Sequence, residues 1–178
     1  MASNLEFVKN VNFNTSPSSS TLIIDEVFTD RYDSYFVNLT KIDGNLSGYY
    51  IAMKFLDSSG NLITSSDYNW ASQQMASDNT YAESKGANTT LINNIGYSGS
   101  GGLDDDKYDN GTSMYIHNPA SNSDFTFVHA QASGFKSSGV LYSFKTCGVL
   151  ANASAVRGFR LTGHSAFYGV NASVYGVK

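Results

Sequence analysis

Residues 49–56 alternate strictly: Tyr49, Ile51, Met53 and Phe55 fall on one side, and Tyr50, Ala52, Lys54 and Leu56 on the other. A period of two places one side against a core and the other toward a second environment, which is the signature of a strand. Asp57-Ser58-Ser59-Gly60-Asn61 follows as a turn, and Leu62 to Ser65 reads as the return strand of a hairpin. Similar short runs recur at Leu22–Phe28, Tyr35–Ile42, Ser113–His117, Asp124–Gln131, Val140–Leu150, Val156–Leu161 and Ala172–Val177. Gly, Asn, Asp and Ser separate them. This succession predicts about nine strands. No helical pattern is long enough for a parallel crossover, so the sheets are expected to be antiparallel. The expected fold is all-β: an antiparallel β-sandwich of jelly-roll type, with an immunoglobulin-like sandwich as the second choice.

Two stretches interrupt the pattern. Leu5 to Phe13 reads as an edge strand, and Thr15-Ser16-Pro17-Ser18-Ser19-Ser20 as a linker, so 1–20 is expected to be an arm outside a single domain, 21–178. Residues 66–103 are polar and weakly periodic, and are expected to form a long loop-rich insertion with one helical turn at Trp70–Met75. Insertions of that kind often carry function.

Composition narrows the function classes. Ser, Thr and Asn fill 55 of the 178 positions, while charged residues are only 15% and aromatics 13%. The chain is too aromatic to be disordered and too poor in helix formers to be a bundle. A net charge of −4 argues against nucleic-acid binding. No run approaches the length of a membrane helix, and the N-terminus lacks a signal-peptide pattern, so synthesis and folding in a cytoplasm are expected. The single cysteine, Cys147, excludes an intrachain disulfide and is expected to be a buried, inert thiol.

Candidate chemistry is sparse. Asp104, Asp106 and Asp109 could supply carboxylate oxygens to a cation, although their spacing departs from the helix-loop-helix calcium motif; a solvated acidic loop is the plainer reading. His117 and His129 lie on neighbouring strand runs and could approach each other, as ordinary strand histidines. No Gly-x-Ser-x-Gly elbow or carboxylate pair stands out, so no catalytic residues and no cofactor are expected. Tyr68, Trp70 and Tyr97 lie in the polar stretch and could stack on a glycan, though Trp70 equally suits closing one end of the core. The surplus of Tyr and Phe on a weakly charged chain suggests a subunit interface.

Leu5-Glu6-Phe7-Val8-Lys9-Asn10-Val11 leads through Ser and Thr to Ile23-Ile24-Asp25-Glu26-Val27-Phe28, and then to Tyr32-Asp33-Ser34-Tyr35. Phe55-Leu56-Asp57-Ser58-Ser59-Gly60, Asp67-Tyr68-Asn69-Trp70, Ile116-His117-Asn118-Pro119 and Phe125-Thr126-Phe127 follow in order. Gly158-Phe159-Arg160-Leu161 and Val174-Tyr175-Gly176-Val177-Lys178 close the chain. This succession resembles small virion structural proteins of tailed bacteriophages, above all phages of marine bacteria and cyanobacteria. The resemblance implies a β-sandwich, often trimeric, without catalytic residues. It implies a capsid decoration or cement protein on the outside of the head, contacting itself and the major capsid protein. The alternative it leaves open is a receptor-binding or carbohydrate-binding tip of a tail or head fibre, facing a host surface glycan. In either case the expected location is the virion, with no nucleic-acid or membrane partner.

Overall fold

The computed structural model describes residues 4–44, 49–100, 110–135 and 139–178. Among the described residues there are ten strands and no helix. They are β1 (Leu5–Ile24), β2 (Ser34–Gly44), β3 (Tyr49–Asp57), β4 (Tyr68–Ala76) and β5 (Tyr81–Thr89). β6 (Ile92–Ser100), β7 (Asn110–His117), β8 (Thr126–Phe135), β9 (Leu141–Leu150) and β10 (Val156–Val177) complete the set. The strand order is β1-β10-β3-β6-β2-β7-β8-β9-β4-β5, with β10 also pairing β2. All pairings are antiparallel except a short parallel contact of Asp43 and Gly44 with Gly99 and Ser100. The expectation of an all-β antiparallel fold is met, and the sheet curls until it nearly closes into a barrel.

The long strands explain the curl. The C-terminal half of β10 pairs β2 from Ser34 to Gly44, whereas its N-terminal half pairs β3 from Ile51 to Asp57. β1 follows β10 along both halves, with register shifts between Phe7 and Lys9 and between Asn14 and Thr21. Bulges of this kind sharpen twist and bend a strand. The Ser-rich stretch 15–20 is therefore part of one bent edge strand, and not a linker to a separate arm.

Residues 66–103 also differ from expectation. They hold three strands, β4, β5 and β6, and Trp70–Met75 is extended, not helical. Alternation was illegible here because the inner positions meet polar partners. The Thr146 hydroxyl on β9 donates to the Asn94 carbonyl on β6 at 2.5 Å, and Asn94 Nδ2 donates to Ser84 Oγ on β5 at 2.7 Å. β5 is an edge strand exposed on both faces from Tyr81 to Lys85, so it needs no apolar side. The turn at Asp57–Asn61 forms as expected, with the Asp57 carboxylate accepting from the Ser59 and Asn61 amides and Gly60 at φ 86°. Its return run, by contrast, makes a single bridge, Leu56 to Leu62, and no strand.

The main core is built from alternate residues of the long strands. Val37 and Leu39, Met53 and Phe55, Phe159 and Leu161, and Ala172 and Val174 are all fully or almost fully buried. Removing each of these side chains larger than alanine from water contributes about 1.5–3 kcal/mol before entropy is counted. At one end Phe28 stacks on Phe159 and meets Tyr35 edge-on, and the Tyr35 hydroxyl both donates to the Thr29 carbonyl and accepts from the Thr29 amide. A smaller cluster of Tyr97, Tyr142 and Phe144 fills the other end.

Candidate binding face

On the side of the sheet opposite the core, strict alternation in β7, β8 and β9 turns every second residue outward. The strand register carries these residues into continuous rows. Phe7 on β1 lies opposite Tyr175 on β10, then Phe36 on β2, Tyr115 on β7, His129 on β8, Cys147 on β9, Ala71 on β4 and Lys85 on β5. Seven strand intervals make this row about 34 Å long, measured along the curved sheet. Its rings are in contact. Centroids lie 5.9 Å apart for Phe7 and Tyr175, 6.2 Å for Tyr175 and Phe36, and 5.1 Å for Phe36 and Tyr115. Phe7 is 61% exposed and Tyr115 44%, so the row faces solvent.

A second row runs beside it. Asn10, Ser173, Asn38, Ser113, Gln131, Lys145, Gln73 and Glu83 stand opposite one another in turn across the same eight strands. Every member is polar. Asn10 Nδ2 donates to Ser173 Oγ at 2.9 Å, Ser113 Oγ to Asn38 Oδ1 at 3.3 Å, and Gln73 Nε2 reaches Glu83 at 3.5 Å. The face thus carries an aromatic band and an amide–hydroxyl band side by side.

The β7–β5 end of this face is concave. A groove of about 770 Å³ there is bounded by β5 on one side and β7 on the other, with β8, β9 and β4 as its floor. An adjoining hollow of about 750 Å³ shares Lys85, His129 and Cys147 and adds Trp70 and Phe127. Lys85 and Lys145 both line the groove, and neither ammonium group has an ion-pair or hydrogen-bond partner among the described residues.

The residues singled out from sequence fall in different places. Tyr68 and Tyr97 do not face solvent: they are 0% and 2% exposed. The Tyr68 hydroxyl accepts from the Phe55 amide at 3.0 Å and donates to the Ile63 carbonyl at 3.2 Å, and burial pushes its pKa up to about 12. Tyr97 stacks on Tyr142 and Phe144, each at 5.5 Å, and burial raises its pKa too. Both are core residues, which corrects the expectation of glycan-facing rings. Trp70 is half-buried: it packs against the core, lies over Gly86, and also borders the second hollow. A Cβ on Gly86 would lie 2.4 Å from the indole nitrogen, so glycine lets this ring sit down on β5. Asp104, Asp106 and Asp109 lie outside the described residues.

Cys147 is exposed, which corrects the expectation of a buried thiol; it points outward on β9 opposite His129 and donates weakly to the Ala71 carbonyl at 3.7 Å. His117 and His129 do meet, with ring centroids 5.6 Å apart, and His117 Nδ1 is 2.8 Å from Ser34 Oγ. Burial, and then the neighbouring His129, hold the His117 pKa below its ordinary value. No carboxylate completes this pair: among the described residues, no three His, Cys, Asp or Glu side chains gather into a metal-binding group. Tyr115, Gln131, Lys145 and Lys85 escaped the sequence reading because only cross-strand register brings them together, and register is not written in any one segment.

No family model matches the chain, and no curated protein does. Solved structures give distant likenesses. One is sucrose-6-phosphate hydrolase from Lactobacillus gasseri, at 9% identity and TM-score 0.36, covering 95% of this chain and 28% of that one. Another is a Bacillus endospore appendage pilus, at 12% identity and TM-score 0.26, covering 100% and 96%. A third is β-fructofuranosidase from Schwanniomyces occidentalis, at 7% identity and TM-score 0.35, covering 99% and 35%. The chain spans less than a third of the first structure's length. At these scores the likenesses carry no argument about fold or function.

Proposed function

We propose that the protein is a non-enzymatic virion subunit, a decoration or cement protein on the outside of a tailed-phage head. The observation that carries this reading is the aromatic start of the outer row, Phe7, Tyr175 and Phe36, held in register across three strands. Rings in edge-on and tilted contact at the solvent face provide contact area at little entropic cost, because the strands already fix them. The surrounding Asn and Ser surface carries little charge to desolvate or repel. The chain would assemble as a homotrimer and grip the major capsid protein by surface complementarity, with no cofactor. As cement it stabilises the shell by binding the expanded form more tightly than the unexpanded one.

The fold reading behind this is a jelly-roll sandwich. Support comes from β6, whose residues reach across the core side of other strands: Asn110 Nδ2 on β7 donates to the Tyr97 carbonyl, and Ile92 lies against Gly148 on β9. A non-catalytic role is supported by carboxylates committed to structural contacts. Arg157 clasps Asp25 through two bonds of 2.8 Å, and Glu6 pairs with Arg31 and Lys178.

The test is the double substitution Phe7→Ser, Phe36→Ser. Shells carrying the parent protein should resist heat better than bare shells, and the variant should fail to bind while keeping a cooperative melt. Undiminished binding by the variant would reject this interface. The second reading, a glycan-binding fibre tip, is favoured by the concave end of the same face; purified protein that adsorbs to host cells but not to shells would select it.

A further inference from the structure

We infer that the concave groove between β7 and β5 is a binding site for an acidic polysaccharide. It goes beyond the shell-binding role and rests on a different part of the face. The groove's floor joins two bands: Tyr115 and His129 supply ring faces, and Gln131 and Gln73 supply amides two residues further along each strand. Sugar rings have apolar faces and a rim of hydroxyls, so a chain lying along the groove meets rings with its faces and amides with its rim. Five strands line the groove, which makes it about 19 Å wide along the sheet. That length suits several linked sugars and exceeds what a single small metabolite needs.

Charge selects the subclass. Lys145 on β9 and Lys85 on β5 flank β4 on a diagonal, about 12 Å apart on ideal sheet spacings. Neither has a carboxylate partner among the described residues, in a chain whose net charge is −4. Glu83, the groove's one carboxylate, already accepts from the Tyr81 hydroxyl at 2.8 Å and from Gln73. Two ammonium groups left open above amides and rings complement carboxylate or sulfate groups borne on a hydroxyl-rich polymer. The all-polar second row favours such a ligand over single-stranded nucleic acid, which offers bases and phosphates in place of hydroxyl rims.

The experiment is calorimetric titration of the full chain with hexagalacturonate, a sulfated carrageenan hexasaccharide, neutral cellohexaose and oligo-dT. Binding should be confined to the two acidic sugars or to one of them, which identifies the acid group. It should weaken with added salt and fall about tenfold or more in Lys85→Ala, Lys145→Ala. Tyr115→Ala should weaken it, and Lys85→Arg, Lys145→Arg should restore it. All these positions are outward-facing, and an unchanged melting temperature checks that each variant is folded. Binding to neither acidic sugar, equal binding of cellohexaose, tighter binding of oligo-dT, or indifference to the lysine substitutions would each overturn the site. Failure of the shell-binding test leaves this one standing, because Phe7 and Phe36 lie outside the groove.

Discussion

Replacing Tyr68 by Phe removes a buried hydroxyl that serves two backbone groups, the Phe55 amide and the Ile63 carbonyl. The amide would then be buried without a partner. The expected cost is about 1–3 kcal/mol, read as a fall in the urea midpoint with unchanged slope. A loss of glycan binding with no loss of stability would instead return Tyr68 to the surface role its sequence context suggested. His117 gives a pH test. Its folded-state pKa lies below the ordinary 6.5, so the unfolded chain takes up a proton at higher pH than the folded chain does. Its contribution to stability is therefore complete above pH 6.5 and is lost as the pH falls through the folded value. Melting temperature should decline as pH drops from about 6.5, and His117→Gln should flatten that decline while leaving the neutral-pH value nearly unchanged. A decline identical in both proteins would mean that another group titrates.

At the scale of elements, one asparagine and one glycine tie neighbouring strands together. Asn110 is 2% exposed; its amide donates to the Tyr97 carbonyl, and its oxygen accepts from the Phe135 amide. It fills the space above Gly134, where an added Cβ would lie 1.6 Å from it. Asn110→Ala should cost about 1–3 kcal/mol in the same denaturation experiment, and Gly134→Val should cost more by driving the two strands apart. A neutral Gly134→Val would show that β7 and β8 are looser than their register implies. These elements also mark how far the sequence could be read. Val140–Leu150 and Asp124–Gln131 were legible because apolar and aromatic residues recur through both runs between clear turn signals. β4, β5 and β6 were not: Ser72 on β4 and Asn94 on β6 are buried polar residues, and β5 is exposed on both sides. β1 was cut short at Ser16-Pro17-Ser18 because turn-forming composition outweighs pairing in any local reading, whereas β10 pairs with it on both sides of that stretch.

At the scale of the molecule, the low-charge Asn- and Ser-rich composition takes on a geometry. These residues fill an ordered band beside the aromatic one, and both bands exist only because eight strands keep register. That is why the candidate face was invisible in the sequence: its members come from Phe7 to Tyr175, and no motif spans them. The assembly claim predicts a trimer in sedimentation equilibrium that dissociates in the Phe7→Ser, Phe36→Ser variant; a parent protein that stays monomeric at high concentration would remove the homotrimer. The central claim, that this chain is a structural subunit on the outside of the head, is tested most directly by quantitative mass spectrometry of purified particles. The account predicts copies in a fixed, high ratio to the major capsid protein, retained after tails are removed. Absence from the particle, or a handful of copies that leave with the tail, would contradict it.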